Sequence, residues 1–387
     1  MKRSFIREIL EYTNSNTISF AGGLPDEKLF PLEVIRDCAN SALQSAKVLQ
    51  YAKSSGLDSL RELIAQSYTK RGFKTSPEEI LITSGSQQAL DVILRSIKSQ
   101  NITVEAPSYL GAMNLFALNG IKTEAVELKE NGIELNSFKQ SVANTKLAYL
   151  IPDFQNPTGI SYSQECRDMV AKEIKEHNGI LIEDAPYSEL YFEEFMPPIS
   201  SKIPNSSYHL GSFSKTLAPA LRVGWIRASK KLIKPLLAYK EVMDLHTNML
   251  SQEIISCFLS KHKLYEEHLE NIRNSYKSKM EFFTQELDKK IPEFNYIKPK
   301  GGMFVYVKTD VDVYKLLERT MQNGVVFVPG GEFYSDNKNR NEIRFNYTNS
   351  TQEQISKGIE LITEATHYMQ YLTNQKSDRY ERINSLS

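Results

Sequence analysis

The run Tyr208–Ile226, YHLGSFSKTLAPALRVGWI, decides how the rest of the chain is read. It opens as an apolar, strand-like stretch. It then breaks into Ser212, Ser214 and Lys215, crosses Pro219 and reaches Arg222 and Gly224. A lysine among small hydroxyls, followed by an arginine, suits a cofactor that carries both an aldehyde and a phosphate. The ε-amine of Lys215 can form a Schiff base with the aldehyde. Hydroxyls together with a guanidinium can hold the phosphate. Pyridoxal 5'-phosphate has both groups. Taken alone, the run reads equally well as a surface loop with ordinary charges, so the choice rests on its partners elsewhere.

Outward from this run, short apolar strands alternate with helices from about residue 78. EEILITSGSQQALDVILRSI and NITVEAPSYLGAMNLFAL each read as strand, turn and helix, TKLAYLIPDFQNPTG as strand and loop, and ILIEDAPY as a strand. Such alternation predicts an α/β fold, a mostly parallel sheet with helices on both faces. Ligands then sit beyond the carboxyl ends of the strands, and each polar cluster of this chain follows an apolar run. Residues 230–290 read as long helices. From 296 to 366 the pattern changes to a smaller α+β domain. The expected division is 1–30 as an N-terminal helix and segment that joins the small domain and covers the site, 31–275 as the large cofactor-binding domain, and 276–387 as the C-terminal small domain. Residues 4–14 and 32–48 are expected to be helical, and the polar tail after Tyr371 to fray.

Composition narrows the function classes. Among 387 residues, Lys plus Arg and Asp plus Glu each number 47, so the net charge is zero. That argues against a main role on nucleic acid or a membrane surface. Cys38, Cys166 and Cys257 are far apart and odd in number, which predicts neither a disulfide framework nor a paired zinc spacing and fits a reducing cytoplasm. The six histidines show no metal-ligand spacing, so no metal is expected. MKRSFIREILEY lacks the continuous apolar core of a signal peptide.

Further candidates lie at strand ends. The amides of Ser86 and Gln87 in TSGSQQAL open a helix and could bind an anion; an N-cap by Ser84 or Ser86 is the plainer alternative. Asp184 closes ILIED, where a carboxylate against a pyridine nitrogen would keep that nitrogen protonated. Tyr187 and Asn156 could donate to a ring oxygen, and Tyr109 could stack on a flat cofactor; each is also an ordinary strand-end, turn or core residue. Gly22 and Gly23 allow a close backbone approach to a ligand. Arg344, a charge inside the apolar strand IRFNY, needs a partner, which is either a substrate carboxylate or an internal salt bridge.

QNPTG, EDAPY, SFSKTLAPALRVGW and IRFNY, in that order, resemble the fold-type I PLP-dependent aminotransferases. SFAGGLP, LQYAKSSG, TSGSQQALD, APSYLGA, PKGGMF and FVPGG narrow the resemblance to the bacterial 2-aminoadipate and kynurenine aminotransferase branch, which is related to the C-terminal part of MocR-type regulators. A MocR regulator would carry a winged-helix domain, for which the residues before Ile18 are too few. The resemblance implies that Lys215 is the Schiff-base lysine and Asp184 the partner of the pyridine nitrogen. It makes Asn156 and Tyr187 the ring-oxygen donors, Tyr109 the stacking ring, and Ser86, Gln87, Ser212, Ser214 and Arg222 the phosphate cup. It implies a homodimer with shared sites in which Tyr51 reaches the other subunit's phosphate. Arg344 becomes the α-carboxylate clamp, and Arg7, on a mobile N-terminal helix, a selector of acidic substrates. Departures at the LQYAKSSG loop, Pro186 and Ala220 leave substrate preference open. The implied activity is transfer of an amino group from an L-amino acid (2-aminoadipate, glutamate, aromatic or branched-chain) to a 2-oxo acid such as 2-oxoglutarate. A β-eliminating lyase, a racemase or a non-catalytic sensor would use the same cofactor site.

Overall fold

Mostly short runs rich in aliphatic and β-branched residues build three sheets in the computed structural model, which describes residues 5, 9, 11, 14, 16–336, 338 and 340–384, with 372–384 as backbone alone. β1 (Ile18–Ser19) belongs to the smallest sheet. The large sheet has eight strands: β2 (Ile80–Thr83), β3 (Asn101–Ala106), β4 (Lys122–Lys129), β5 (Gly132–Ile133), β6 (Leu147–Leu150), β7 (Ile180–Asp184), β8 (Ser207–Ser212) and β9 (Gly224–Arg227). Their order is β2-β9-β8-β7-β6-β3-β4-β5. The pairs among β4, β3, β6, β7 and β8 are parallel, whereas β9 runs antiparallel to both β2 and β8, and β5 antiparallel to β4.

Every residue of β2, β6 and β8 is buried, as helices on both faces require. Side chains alternate between the faces. Leu81, Ile226, Leu210, Ile182 and Tyr149 point into one large core shared with helix Ser86–Ile97. The opposite face carries two separate cores. One lies under helices Leu135–Thr145 and Gln164–Glu176. The other lies under Leu32–Ala42, Asp58–Lys70 and Met249–Ser260.

The reading of the cysteines is corrected by this second core. Cys38 and Cys257 form a disulfide with their Cα atoms 5.7 Å apart. Helices Leu32–Ala42 and Met249–Ser260 pack directly on one another, which brings together two residues separated by 219 positions. No spacing argument reaches that far. Cys166 is free and buried, and burial pushes its thiol up to about 11.

The chain leaves the large sheet on helix His262–Lys290, which runs unbroken through residue 275. It then forms β10 (Asn295–Tyr296), β11 (Phe304–Lys308), β12 (Val325–Val326), β13 (Val328–Pro329) and β14 (Glu342–Asn346). The second sheet has the order β10-β11-β14-β13 and is antiparallel. β1 pairs in parallel with β12. Beyond β1, Phe20 takes a hydrogen bond from the Asn346 amide at 2.8 Å and sets its ring edge-on against Phe283 and Phe345. The N-terminal segment is thereby woven into the second sheet and carries Ala21 to Gly23 toward the ends of the large-sheet strands.

Two helix limits differ from expectation. The helix expected over 32–48 ends at Ala42, and a 3-10 turn follows at Ala46–Leu49. The tail continues as helix Gln352–Asn384, since residues 359–384 contain neither glycine nor proline to stop it. Of the helix expected at 4–14, Phe5, Ile9 and Glu11 are described and helical; Arg7 lies outside the described residues. Among the described residues no helix is long and apolar enough to cross a membrane.

Candidate active site

β7 ends in Glu183 and Asp184, which the strand period sends to opposite faces. Asp184 is 3% exposed. Its Oδ2 accepts a hydrogen bond from Tyr149 Oη at 2.7 Å, and its Oδ1 is buried with no partner among the described residues. Burial pushes the carboxyl up to about 6, with the Tyr149 bond opposing. A buried oxygen without a donor costs about 1–3 kcal/mol or more, so its persistence marks a place made for a donor from outside the chain.

A second chain of contacts ties the two sheets. Asn156 donates from Nδ2 to Tyr187 Oη at 3.2 Å and accepts at Oδ1 from Arg344 Nη1 at 2.9 Å. Arg344, on β14, also donates to the Ala21 carbonyl. It is 2% exposed, and its Nε has no partner among the described residues. The guanidinium carbon lies 4.5 Å and 5.0 Å from the ring centres of Phe304 and Phe333. Among the described residues Arg344 makes no salt bridge, so the internal ion pair considered above is not formed. Burial pushes its pKa down to about 10, and it stays charged at neutral pH.

Lys215 follows β8. Its Nζ donates to the Gly23 carbonyl at 2.7 Å. Burial, with Arg344 and Arg222 nearby, pushes the amine down to about 8. Gly23 therefore contributes its carbonyl, and a Cβ there would stand 3.2 Å from Phe304.

The turn before helix Ser86–Ile97 completes the group. Gly85 takes the cap position at φ 85°, and no side chain caps the helix. Ser84 Oγ turns away toward Asp244 and Thr247, which leaves the first-turn amides of Ser86 and Gln87 without the serine cap that the sequence allowed. Arg222, at φ 51°, donates from Nη2 to the Ser84 carbonyl at 3.1 Å and from Nη1 to Ser214 Oγ at 3.4 Å. Ser212 Oγ accepts from the Ser214 amide at 3.1 Å. A Cβ on Gly224 would stand 2.8 Å from the Ser86 nitrogen, so glycine there lets β9 run against this turn. Tyr109 Oη lies 3.5 Å from Gln87 Oε1. An uncapped helix start beside a guanidinium and two hydroxyls is suited to a phosphate.

These residues come together at the carboxyl ends of the large-sheet strands. Tyr51 does not join them: it is 78% exposed, with its ring edge-on to His246. Sequence reasoning passed over Tyr149, whose one signal is a hydroxyl within the apolar strand LAYL. It also passed over the Ala21 carbonyl and Glu105, and it read Gly23 as a close approach to a ligand where the structure gives its carbonyl to Lys215. Glu105 is buried, accepts from the Ile151 amide, Gln155 and Tyr162, and braces the loop that carries Asn156.

The profile of the family described as aminotransferase class I and II matches residues 16–362. The chain belongs to this family of aminotransferases. The aminotransferase is 35% identical to a 2-aminoadipate transaminase of Thermus thermophilus over 93% of this chain and 92% of the relative. It is 34% identical to aromatic-amino-acid aminotransferase 1 of Thermococcus litoralis, with 94% and 91% covered. Among solved structures, the alpha-aminoadipate aminotransferase of Thermus thermophilus, complexed with N-(5'-phosphopyridoxyl)-L-leucine, superposes with a TM-score of 0.88 at 33% identity, over 96% of both chains. The cofactor of the aminotransferase is pyridoxal 5'-phosphate. The residues present fit it: the unpartnered Asp184 Oδ1 suits a pyridinium N–H, and the open helix start suits the phosphate.

Proposed function

We propose that the enzyme takes its amino group from 2-aminoadipate, glutamate, or an aromatic or branched-chain L-amino acid and passes it to a 2-oxo acid such as 2-oxoglutarate. The observation that carries this reading is Arg344, a buried guanidinium with no carboxylate of its own among the described residues and aromatic rings on two sides. The α-carboxylate common to every donor and acceptor satisfies it bidentately.

In this reading Asp184 would hold the ring nitrogen of the cofactor, Asn156 and Tyr187 its ring oxygen, and Tyr109 its face. Ser86, Gln87, Ser212, Ser214 and Arg222 would hold its phosphate. Pyridoxal 5'-phosphate, when bound, supplies an electron sink that eases loss of the Cα proton. Lys215, with its pKa near 8, takes that proton as a base and returns it as an acid. Asp184 keeps a negative charge at the ring nitrogen, since its pKa near 6 leaves it ionised at neutral pH. Phe304 and Phe333 keep water from Arg344 and strengthen its hold on the carboxylate.

The proposal includes a homodimer, with Tyr51 of a second copy at the phosphate; the exposure of Tyr51 supports this, whereas the Cys38–Cys257 disulfide removes the ground on which a reducing cytoplasm was expected. It also includes a division of the chain near residue 275 into cofactor-binding and smaller parts. The test is a donor–acceptor panel on the purified holoenzyme. Oxo acid and new amino acid should form in equal amounts and only when an acceptor is present. Ammonia release or loss of chirality without an acceptor would replace transamination by elimination or racemisation.

A further inference from the structure

A second hollow lies on the other face of the large sheet. Its volume is about 430 Å³, inside the range of about 300–1,000 Å³ that takes small-molecule ligands. His209, Gly211 and Trp225 line it, and they alternate along β8 and β9 with Leu210 and Ile226, which face the first core. It opens between the two separate cores of this face, with Ile64 and Leu259 on one side and Asp153 and Pro198 on the other.

The charges around it are matched. Arg71 pairs with Glu189 and lies 4.7 Å over the ring of Phe195. Asp153 pairs with Arg167. Lys70 and Glu266, one of each sign, are exposed at the rim. The walls are aromatic, with Tyr68, Phe195 and Trp225 among them.

A buried polar group of the wall is left over among the described residues. Trp225 Nε1 donates to Tyr68 Oη at 2.9 Å, so the Tyr68 hydroxyl hydrogen is directed to His209 Nδ1 at 2.7 Å. His209 is 5% exposed, and burial pushes its pKa down to about 4. A neutral imidazole that accepts at Nδ1 carries its hydrogen on Nε2. Among the described residues nothing accepts that hydrogen.

We infer that this cavity is a binding site, separate from the amino-acid site, for a flat, uncharged aromatic molecule that carries a carbonyl or similar acceptor. Its rings pack among Tyr68, Phe195 and Trp225, and its acceptor takes the Nε2–H of His209. A charged ligand is disfavoured because it would be buried without a counter-charge. Ala185 and Pro186, which follow Asp184, and Ser212 and Phe213, which precede Lys215, form part of its wall. The occupant therefore touches the back of the segments that carry both groups.

The test is calorimetric titration of the holoenzyme with coumarin, a neutral fused-ring lactone. One site per chain is expected. Ser67→Trp, at an exposed helix position on the rim, should abolish binding while turnover is kept. His209→Leu should weaken binding at least about tenfold, the loss of one buried hydrogen bond. Arg344→Ala, which alters only the amino-acid site, should leave coumarin binding unchanged. The inference is overturned by absence of binding to the wild-type holoenzyme, by undiminished binding to Ser67→Trp, or by binding that disappears in Arg344→Ala.

Discussion

Glu183 and Asp184 are neighbours on one strand, and both carboxylates are buried. Glu183 faces the back of the sheet, where its two oxygens accept the amides of Ile199 at 2.9 Å and Ser200 at 2.7 Å. Asp184 faces the front and leaves one oxygen without a donor among the described residues. The same contrast separates two buried arginines. Arg167 pairs with Asp153 and donates to the carbonyls of Tyr162, Pro152 and Pro197. Arg344 has no acid partner among the described residues and an idle Nε. Burial alone distinguishes neither pair. In these two pairs the charge whose bonds are complete holds the fold, and the one whose bonds are incomplete stands where the strand ends of the candidate site converge.

The comparison can be broken most decisively at the front of the sheet. Lys215→Ala should abolish both turnover and borohydride-fixed labelling with cofactor; retained labelling would move the Schiff base to another lysine. Asp184→Ala should keep the cofactor but slow the Cα proton step by about 150- to 5,000-fold, a loss of roughly 3–5 kcal/mol. Glu183→Gln should do the reverse, with a lower Tm and near-normal half-reaction rates in stopped flow. Equal kinetic losses in both variants would erase the distinction between the two faces.

The arginines sharpen the same point. Arg344→Ala should lower kcat/KM for every donor alike by about 30- to 5,000-fold, or roughly 2–5 kcal/mol. Arg167→Ala should cost about 3–5 kcal/mol of stability in denaturant titration, because Asp153 is left buried and unpaired. A loss confined to acidic donors would place Arg344 at a side-chain carboxylate instead.

A smaller effect follows from protonation. The folded pKa of Asp184, near 6, lies above the unfolded value of about 3.9. Between these values the folded chain holds a proton that the unfolded chain has lost, so the contribution of this group to stability falls as pH rises across the window. In protein stripped of cofactor, Asp184→Asn should therefore gain about 3 kcal/mol at pH 7–8, and most of the gain should be gone by about pH 4. Thermal melts across this range measure it, and a pH-independent difference would show that burial does not penalise the charge. The smallest change is Tyr149→Phe, which removes about 1 kcal/mol of hydrogen bonding to Asp184 and should slow the proton step by about fivefold.

The sequence by itself determined the alternation of strands and helices, the change of character near the second sheet, and the positions of Lys215, Asp184, Asn156 and Arg344 at strand ends or within strands. These are local signals: a strand's period, its closing turn and the polar residue just beyond it are neighbours in the chain. β4 and β9 escaped the pattern because one is largely exposed and polar and the other is four residues between a glycine and an arginine. Only the tertiary structure decided which buried groups are satisfied. Lys215 meets the carbonyl of Gly23 across 192 positions, and Arg344 meets that of Ala21 across 323. Cys38 finds Cys257 because two helices pack, and the cavity at His209 exists because two cores on one face do not merge. Each depends on distances between segments far apart in sequence, and residue order carries no record of those distances until the chain has folded.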